Sequence, residues 1–147
     1  MEDFNIDNSL GFIVAKTHYY MKTYFSKLIK DIDINITTEQ WALLNAVYRN
    51  PGASQTDLTR SCLKDKTNVT RILDLLVKKE YAVRNINLSD RRSYSITLTD
   101  LGESILKQLI NISDNANEAF ISDLNRDEYL ELVRALKITS SSIEKLL

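Results

Sequence analysis

The chain has 147 residues, 44% hydrophobic and 27% charged, with a net charge of −1. That is enough for one compact core, too short for two ordinary domains, and unlike a disordered chain. Three glycines and one proline exclude a sandwich-like series of hairpins, so helices must dominate. No apolar run nears the roughly 18 residues of a membrane helix, and Met1, Glu2 and Asp3 open no basic or apolar leader. We therefore expect a cytoplasmic protein that does not engage membranes, and the lone Cys62 fits a reducing compartment.

Taken in chain order, residues 8–30 predict a long helix whose apolar stripe is Leu10, Ile13, Val14, Thr17, Tyr20, Met21, Tyr24 and Leu28. Phe12, Tyr19 and Phe25 lie off that stripe and form a second apolar face. A second helix starts at Thr37, where Thr37 and Gln40 match a capping box and Ile36 can staple onto Trp41. It passes through Leu44, Val47 and Tyr48, and Asn50, Pro51 and Gly52 end it. Ser54 caps a short third helix reaching Cys62, with Asp57 in its first turn. Asp65 then caps a fourth, running to Glu80, with Val69, Ile72, Leu73 and Leu76 on its buried side. Two helices joined by so tight a turn form a helix-turn-helix.

From Tyr81 the period turns from helical to alternating: Tyr81 and Val83 start one strand, and Tyr94, Ile96 and Leu98 share a face of the next. Residues 88–92 form the hairpin tip, and the hairpin is a wing. Thr99 opens a fifth helix with the stripe Leu101, Ile105, Leu109, Ile112, Ala116 and Phe120. Asn125, with Glu128 three residues on, opens a sixth carrying Tyr129, Leu132, Val133, Leu136, Ile143 and Leu147. The long terminal helices have few partners in a chain of this size, and pairing them with a second copy buries their surplus faces, which predicts a C2 homodimer.

The expected fold is thus mainly α: a winged helix-turn-helix of about six helices plus a β-hairpin wing, with long N- and C-terminal dimerisation helices. We expect a single domain, 1–147, with a DNA-binding lobe at 37–99 and a dimerisation region at 8–30 and 100–147.

Charge distribution points to a polyanion. Between Ser54 and Arg92 nine basic residues face five acidic ones, so the middle carries +4 and the remainder −5.

Three stretches carry a family resemblance: I-T-T-E-Q-W-A-L-L from Ile36 to Leu44, N-V-T-R-I-L-D-L-L-V-K-K from Asn68 to Lys79, and D-R-R-S-Y-S-I-T-L-T-D-L-G from Asp90 to Gly102. The chain resembles the MarR family of bacterial regulators, and the last stretch, a wing tip followed by a strand and Leu-Thr-x-x-Gly, is the most specific. It departs from many members at Leu63 and Lys64, where they place a glycine in the turn before the recognition helix.

The resemblance implies a sequence-specific DNA-binding transcriptional regulator, a ligand-responsive dimeric repressor on a palindromic double-stranded operator. The N-terminal half of the fourth helix enters the major groove in such proteins. Arg71 then suits a guanine, Asn68 an adenine, and Thr67 a base edge or phosphate, with Lys66 beside them. A plain solvated helix face is the other reading of these residues. Arg91 and Arg92 suit a minor groove, the family pattern favouring Arg92, with Asp90 orienting an arginine. Exposed charges on an ordinary hairpin would look the same. Ser54, Gln55 and Thr56 at a helix start suit a phosphate, although simple capping explains Ser54 equally well.

Family members bind small aromatic or anionic effectors where the terminal helices meet the DNA-binding lobe. His18, Tyr19, Tyr20, Tyr24, Trp41 and Tyr48 are the candidates for such a pocket, against the alternative that they are core. Some relatives sense oxidants through a first-helix cysteine, which this chain lacks; Cys62 fits the place of a buried aliphatic residue. No cofactor or metal is expected, since no metal-ligand spacing or phosphate loop occurs, and His18 and Cys62 are lone copies on different helices, poor material for an enzyme. The competing reading is a winged-helix protein-interaction module that no longer reads DNA.

Overall fold

The structure, a computed structural model, describes residues 5–61, 65–86 and 94–147. Its described elements are α1 (Leu10–Asp31), α2 (Thr38–Arg49), α3 (Gln55–Ser61), α4 (Lys66–Lys78), β1 (Ala82–Ile86), β2 (Tyr94–Leu98), α5 (Asp100–Phe120) and α6 (Arg126–Glu144), with a 3-10 turn at Ile6–Asn8. Strands β1 and β2 pair antiparallel, Ala82 opposite Leu98 and Ile86 opposite Tyr94. The order and kind of elements are those of a winged helix-turn-helix with long flanking helices. The chain divides into two compact units, Met1–Ser113 and Asp114–Leu147.

In the first unit the core forms where α2, α3, α4 and the two strands converge. Leu43, Leu44, Val47, Leu58, Ile96 and the α4 row Val69, Ile72, Leu73 and Leu76 are all buried. The α4 row is the one its 3.6-residue period predicts. Three helix starts also follow local chemistry: Thr37 and Gln40 form the capping box of α2, Asp65 caps α4, and Asn125 with Glu128 forms a second box on α6.

Two apolar stripes differ from expectation. In α1 the buried residues are Phe25 and Ile29, whereas Leu10, Ile13, Val14, Tyr20, Met21 and Tyr24 are exposed in the single chain. The reason is that α2 engages the C-terminal part of α1, where Phe25 stacks on Trp41 at 4.7 Å and Lys22 pairs with Glu39 at 2.5 Å. In α5 the inward residues of the first unit are Gly102, Leu106 and Leu109, while Leu101 is exposed. Here a close backbone contact sets the rotation: a Cβ on Gly102 would lie 1.9 Å from the Tyr81 carbonyl oxygen. The first strand also begins one residue late, with Ala82 buried and Val83 exposed.

The turn that delivers Tyr81 to this contact is a Schellman motif, with the Tyr81 amide donating to the Leu76 carbonyl at 2.9 Å and the Glu80 amide to Val77 at 3.0 Å. It requires a left-handed residue, and Glu80 fills that position at φ 60°. Glycine has no Cβ to strain there. Glu80→Gly should raise stability by about 0.5–1 kcal/mol, read as a higher urea midpoint with unchanged slope; a lowered midpoint would show that the glutamate side chain makes a stabilising contact.

In the second unit Ala116 is buried, but α6 buries none of its residues, and Leu130, Leu132, Leu136, Ile138 and Ile143 are exposed. No helix among the described residues is long and apolar enough to cross a membrane.

Candidate nucleic-acid interface

Helix α4 is held on its apolar side by the core and presents a polar stripe outward. Thr67, Arg71, Asp74 and Lys78 on that stripe are exposed, as is Lys66 in the first turn. The Asp65 carboxylate accepts from the Asn68 amide at 2.9 Å and from the Asn68 side-chain nitrogen at 2.6 Å. Those donors hold the Asp65 carboxyl below its ordinary range. Asn68 is therefore partly committed to the helix start, whereas among the described residues no hydrogen bond or ion pair engages the Lys66 ammonium or the Arg71 guanidinium. The Thr67 hydroxyl is equally unengaged among them.

Helix α3 crosses behind, tied to α4 by the Gln55 amide donating to the Thr70 hydroxyl. At its start the Asp57 carboxylate accepts from the Ser54 amide at 3.1 Å and the Ser54 hydroxyl at 2.6 Å. These bonds keep the Asp57 carboxyl below the usual range, so an anion already sits at this helix end. Of the three residues expected to meet a phosphate there, Thr56 is exposed and engaged by no described side chain, while Ser54 and Gln55 already have partners.

The far end of α4 is clamped to the start of α2. The Lys79 ammonium donates to the Asn35 carbonyl at 2.5 Å and to Gln40 Oε1 at 3.0 Å, and Gln40 Oε1 also closes the capping box by accepting from the Thr37 amide at 3.2 Å. Gln40 is only 4% exposed, so this acceptor is satisfied by structure and not by water. Burial pushes the Lys79 ammonium below its usual range. The Lys22 hydrogen bond lowers the Glu39 carboxyl to about 2, so Glu39 stays ionised at neutral pH. Between the α2 start and α4 lies a cavity of about 290 Å³ lined in part by Glu39, Gln40, Asn68 and Arg71.

The hairpin is braced on both sides. The outer edge of β2 bonds the loop after α2, with the Gly52 amide donating to Ile96 O at 3.0 Å and the Ile96 amide to Ala53 O at 3.1 Å. Gly52 adopts φ 81° in that loop. Following β2, the Thr99 hydroxyl accepts from the Gly102 amide at 3.0 Å and donates to Glu80 O at 2.6 Å. Thr99 therefore caps α5 while Gly102 lets it approach the Tyr81 carbonyl, which gives a physical reason for Leu-Thr-x-x-Gly at this place.

The sequence pattern of the MarR family matches residues 34–93, from the approach to α2 to the residue before β2. A relative, HTH-type transcriptional regulator BilQ of Clostridioides difficile (strain CD3), is 26% identical over 88% of this chain and 86% of its own length. The chain is thus similar to the MarR family across residues 34–93. Its fold matches solved structures closely. One is that of BpsR from Bordetella bronchiseptica, described for the regulation of its DNA binding by 6-hydroxynicotinic acid, with TM-score 0.85, 19% identity and coverage of 93% of this chain and 96% of that one. Another is a mutant MarR from E. coli complexed with operator DNA, with TM-score 0.84, 23% identity and coverage of 95% and 99%.

Measured against the MarR pattern, the α4 residues Lys66, Thr67, Asn68 and Arg71 come together on the N-terminal half of one helix. Asp90, Arg91 and Arg92, the wing tip at 88–92, Cys62 and the turn residues Leu63 and Lys64 lie outside the described residues. Of the six candidate effector-pocket residues, Trp41 is half-buried against Phe25, while His18, Tyr19, Tyr20, Tyr24 and Tyr48 are exposed in the single chain. Tyr19 and Tyr20 meet edge to face at 5.7 Å. Two groups escaped sequence reasoning: Lys79 with Gln40, and Arg84, whose guanidinium donates to Asp74 at 2.6 Å. The strand alternation that pairs Arg84 with the buried Ala82 was the available signal for the second.

Proposed function

We propose that this chain is a MarR-family, sequence-specific DNA-binding transcriptional regulator that acts in the cytoplasm as a homodimer on a palindromic operator, as a repressor answering to a small aromatic or anionic effector. Its curated relatives are transcriptional regulators, and the observation that carries the reading is the exposed, unengaged start of α4. Lys66, Thr67 and Arg71 project from a helix whose other side is locked in the core, so its presentation is preorganised. Arg71 reads a base edge, Lys66 and Thr56 hold phosphates with help from the α3 start at Ser54 and Gln55, and Asn68 contributes through its free carbonyl oxygen. Arg91 and Arg92 reach the minor groove with Asp90 orienting one of them.

Dimerisation is supported by the large aliphatic residues left in water on α1 and α6, more than a lone soluble chain ordinarily exposes. The effector is supported by the aromatic cluster on α1 and α2 and by the regulation described for BpsR. A ligand that prefers the DNA-incompetent dimer releases the operator by as much as its preference allows.

The decisive experiment is fluorescence anisotropy of the purified protein on the DNA upstream of its own gene, with salt titrated and nonspecific competitor present. Saturable binding, at least about a thousandfold tighter than to nonspecific DNA and steeply salt-dependent, is the expected result. Equal weak binding to the upstream fragment and to every duplex in a random pool would overturn sequence-specific regulation.

A further inference from the structure

The outward stripe of α4 carries one acid. Thr67, Arg71, Asp74 and Lys78 follow at steps of four, three and four, so Asp74 stands one turn beyond Arg71 and within reach of it. A bare carboxylate there opposes DNA binding in two ways: it repels phosphates, and it competes for the Arg71 guanidinium.

The wing disposes of that charge. Register places Arg84 opposite Ile96 and on the same face of β1 as Ala82, both of which are buried, so the arginine is turned inward toward α4 and not out to solvent. From there it donates to Asp74 Oδ1 at 2.6 Å. Arg84 is 29% exposed and Asp74 56%, an arrangement in which an ion pair contributes little to stability. Its consequence for charge is larger: Asp74 is occupied from the wing side, and Arg71 is left without an ion-pair partner among the described residues.

We propose that Arg84 is a positioning residue for DNA recognition: it neutralises Asp74 on the DNA-facing stripe, keeps Arg71 available, and couples β1 of the wing to the recognition helix. The inference rests on the assignment of Arg71 as a base-reading side chain.

The test uses full-length protein and the duplex that the wild type selects from a random pool, with a nonspecific duplex of equal length for comparison. Anisotropy is measured for Arg84→Ala, Asp74→Asn, the double variant and Arg71→Ala, each checked for an unchanged fold by circular dichroism. Arg84→Ala should weaken binding to the selected duplex by about tenfold. Asp74→Asn alone should stay within about threefold of wild type. The double variant, which lacks both charges, should recover to within about threefold as well. Recovery separates the proposal from its rivals, because a phosphate contact or a structural brace by Arg84 is lost just as fully in the double variant. A double variant as weak as Arg84→Ala therefore overturns it, as does wild-type binding by Arg84→Ala. Wild-type binding by Arg71→Ala overturns the base-reading assignment instead, a different failure, since collapse of the Arg84 proposal leaves Arg71→Ala weak and the double variant unrescued.

Discussion

Gly102→Ala should destabilise the protein by about 3 kcal/mol or more, at the upper end of overpacking costs. The added methyl would sit 1.9 Å from the Tyr81 carbonyl oxygen and 2.8 Å from its carbon. Those atoms are backbone, and they are not free to give way. The Tyr81 amide is tied to Leu76 in the Schellman turn, and the Tyr81 oxygen accepts from the Thr99 amide at 3.2 Å. Relief requires lifting the first turn of α5 off the end of α4, which breaks the Thr99 cap and loosens Leu106 and Leu109 from the core. The better helix propensity of alanine returns at most about 1 kcal/mol. Gly11 supplies the control, since a Cβ there meets nothing within 4 Å. Gly11→Ala should therefore stabilise by about 0.5–1 kcal/mol. Thermal unfolding of the two variants should move in opposite directions, Gly102→Ala down by about 6–12 °C. Equal, upward shifts would show that α5 is not seated on the Tyr81 carbonyl.

Arg71→Ala should cost about 1–3 kcal/mol of operator affinity, or roughly tenfold to a hundredfold, and relax preference at one base position. The position of Arg71 is the reason. It is exposed on the N-terminal half of α4, one turn after Thr67 and adjacent to Asn68 in the lining of the cavity beside α2. An arginine so placed reads guanine with two parallel donors if it reaches the groove floor. A phosphate-only role predicts something else: affinity falls equally for specific and nonspecific duplexes, and the slope of log affinity against log salt falls by about one. Measuring both duplexes over a salt series separates the two, and an unaltered specificity ratio would remove Arg71 from base recognition. The fold should be indifferent, because the α4 core row Val69, Ile72, Leu73 and Leu76 is untouched.

What was legible in the sequence is chemistry completed within a turn or two of helix. The capping pairs Thr37 with Gln40 and Asn125 with Glu128 join residues three apart, and the Asp65 cap needs only the Asn68 amide. The buried row of α4 follows from a period that no other part of the chain contradicts. The motif at Asp90 to Gly102 likewise carries the MarR resemblance, although its first four residues lie outside the described ones. Of the interface, the sequence revealed which residue types stand on the outer face of α4, since position on a helix follows from spacing alone.

Tertiary structure decided the rest, because it depends on which element meets which. Phe25 is buried and Tyr24 exposed since Trp41 arrives on one side of α1 only, a fact no helical period contains. The rotation of α5 is set by the Tyr81 carbonyl; the stripe expected from apolar residues alone holds at Leu109 and Ala116 but fails at Leu101, because glycine carries no hydrophobic signal. At the start of α3 the Ser54 amide and hydroxyl are bonded to Asp57, a local cap competing with a ligand role. The pairing of Arg84 with Asp74 joins a strand to a helix across ten residues and a chain reversal, and that of Lys79 with Gln40 spans 39. Local sequence determines the elements and their caps through short-range hydrogen bonds; long-range packing determines which charges are free, and that is what a DNA-binding face consists of.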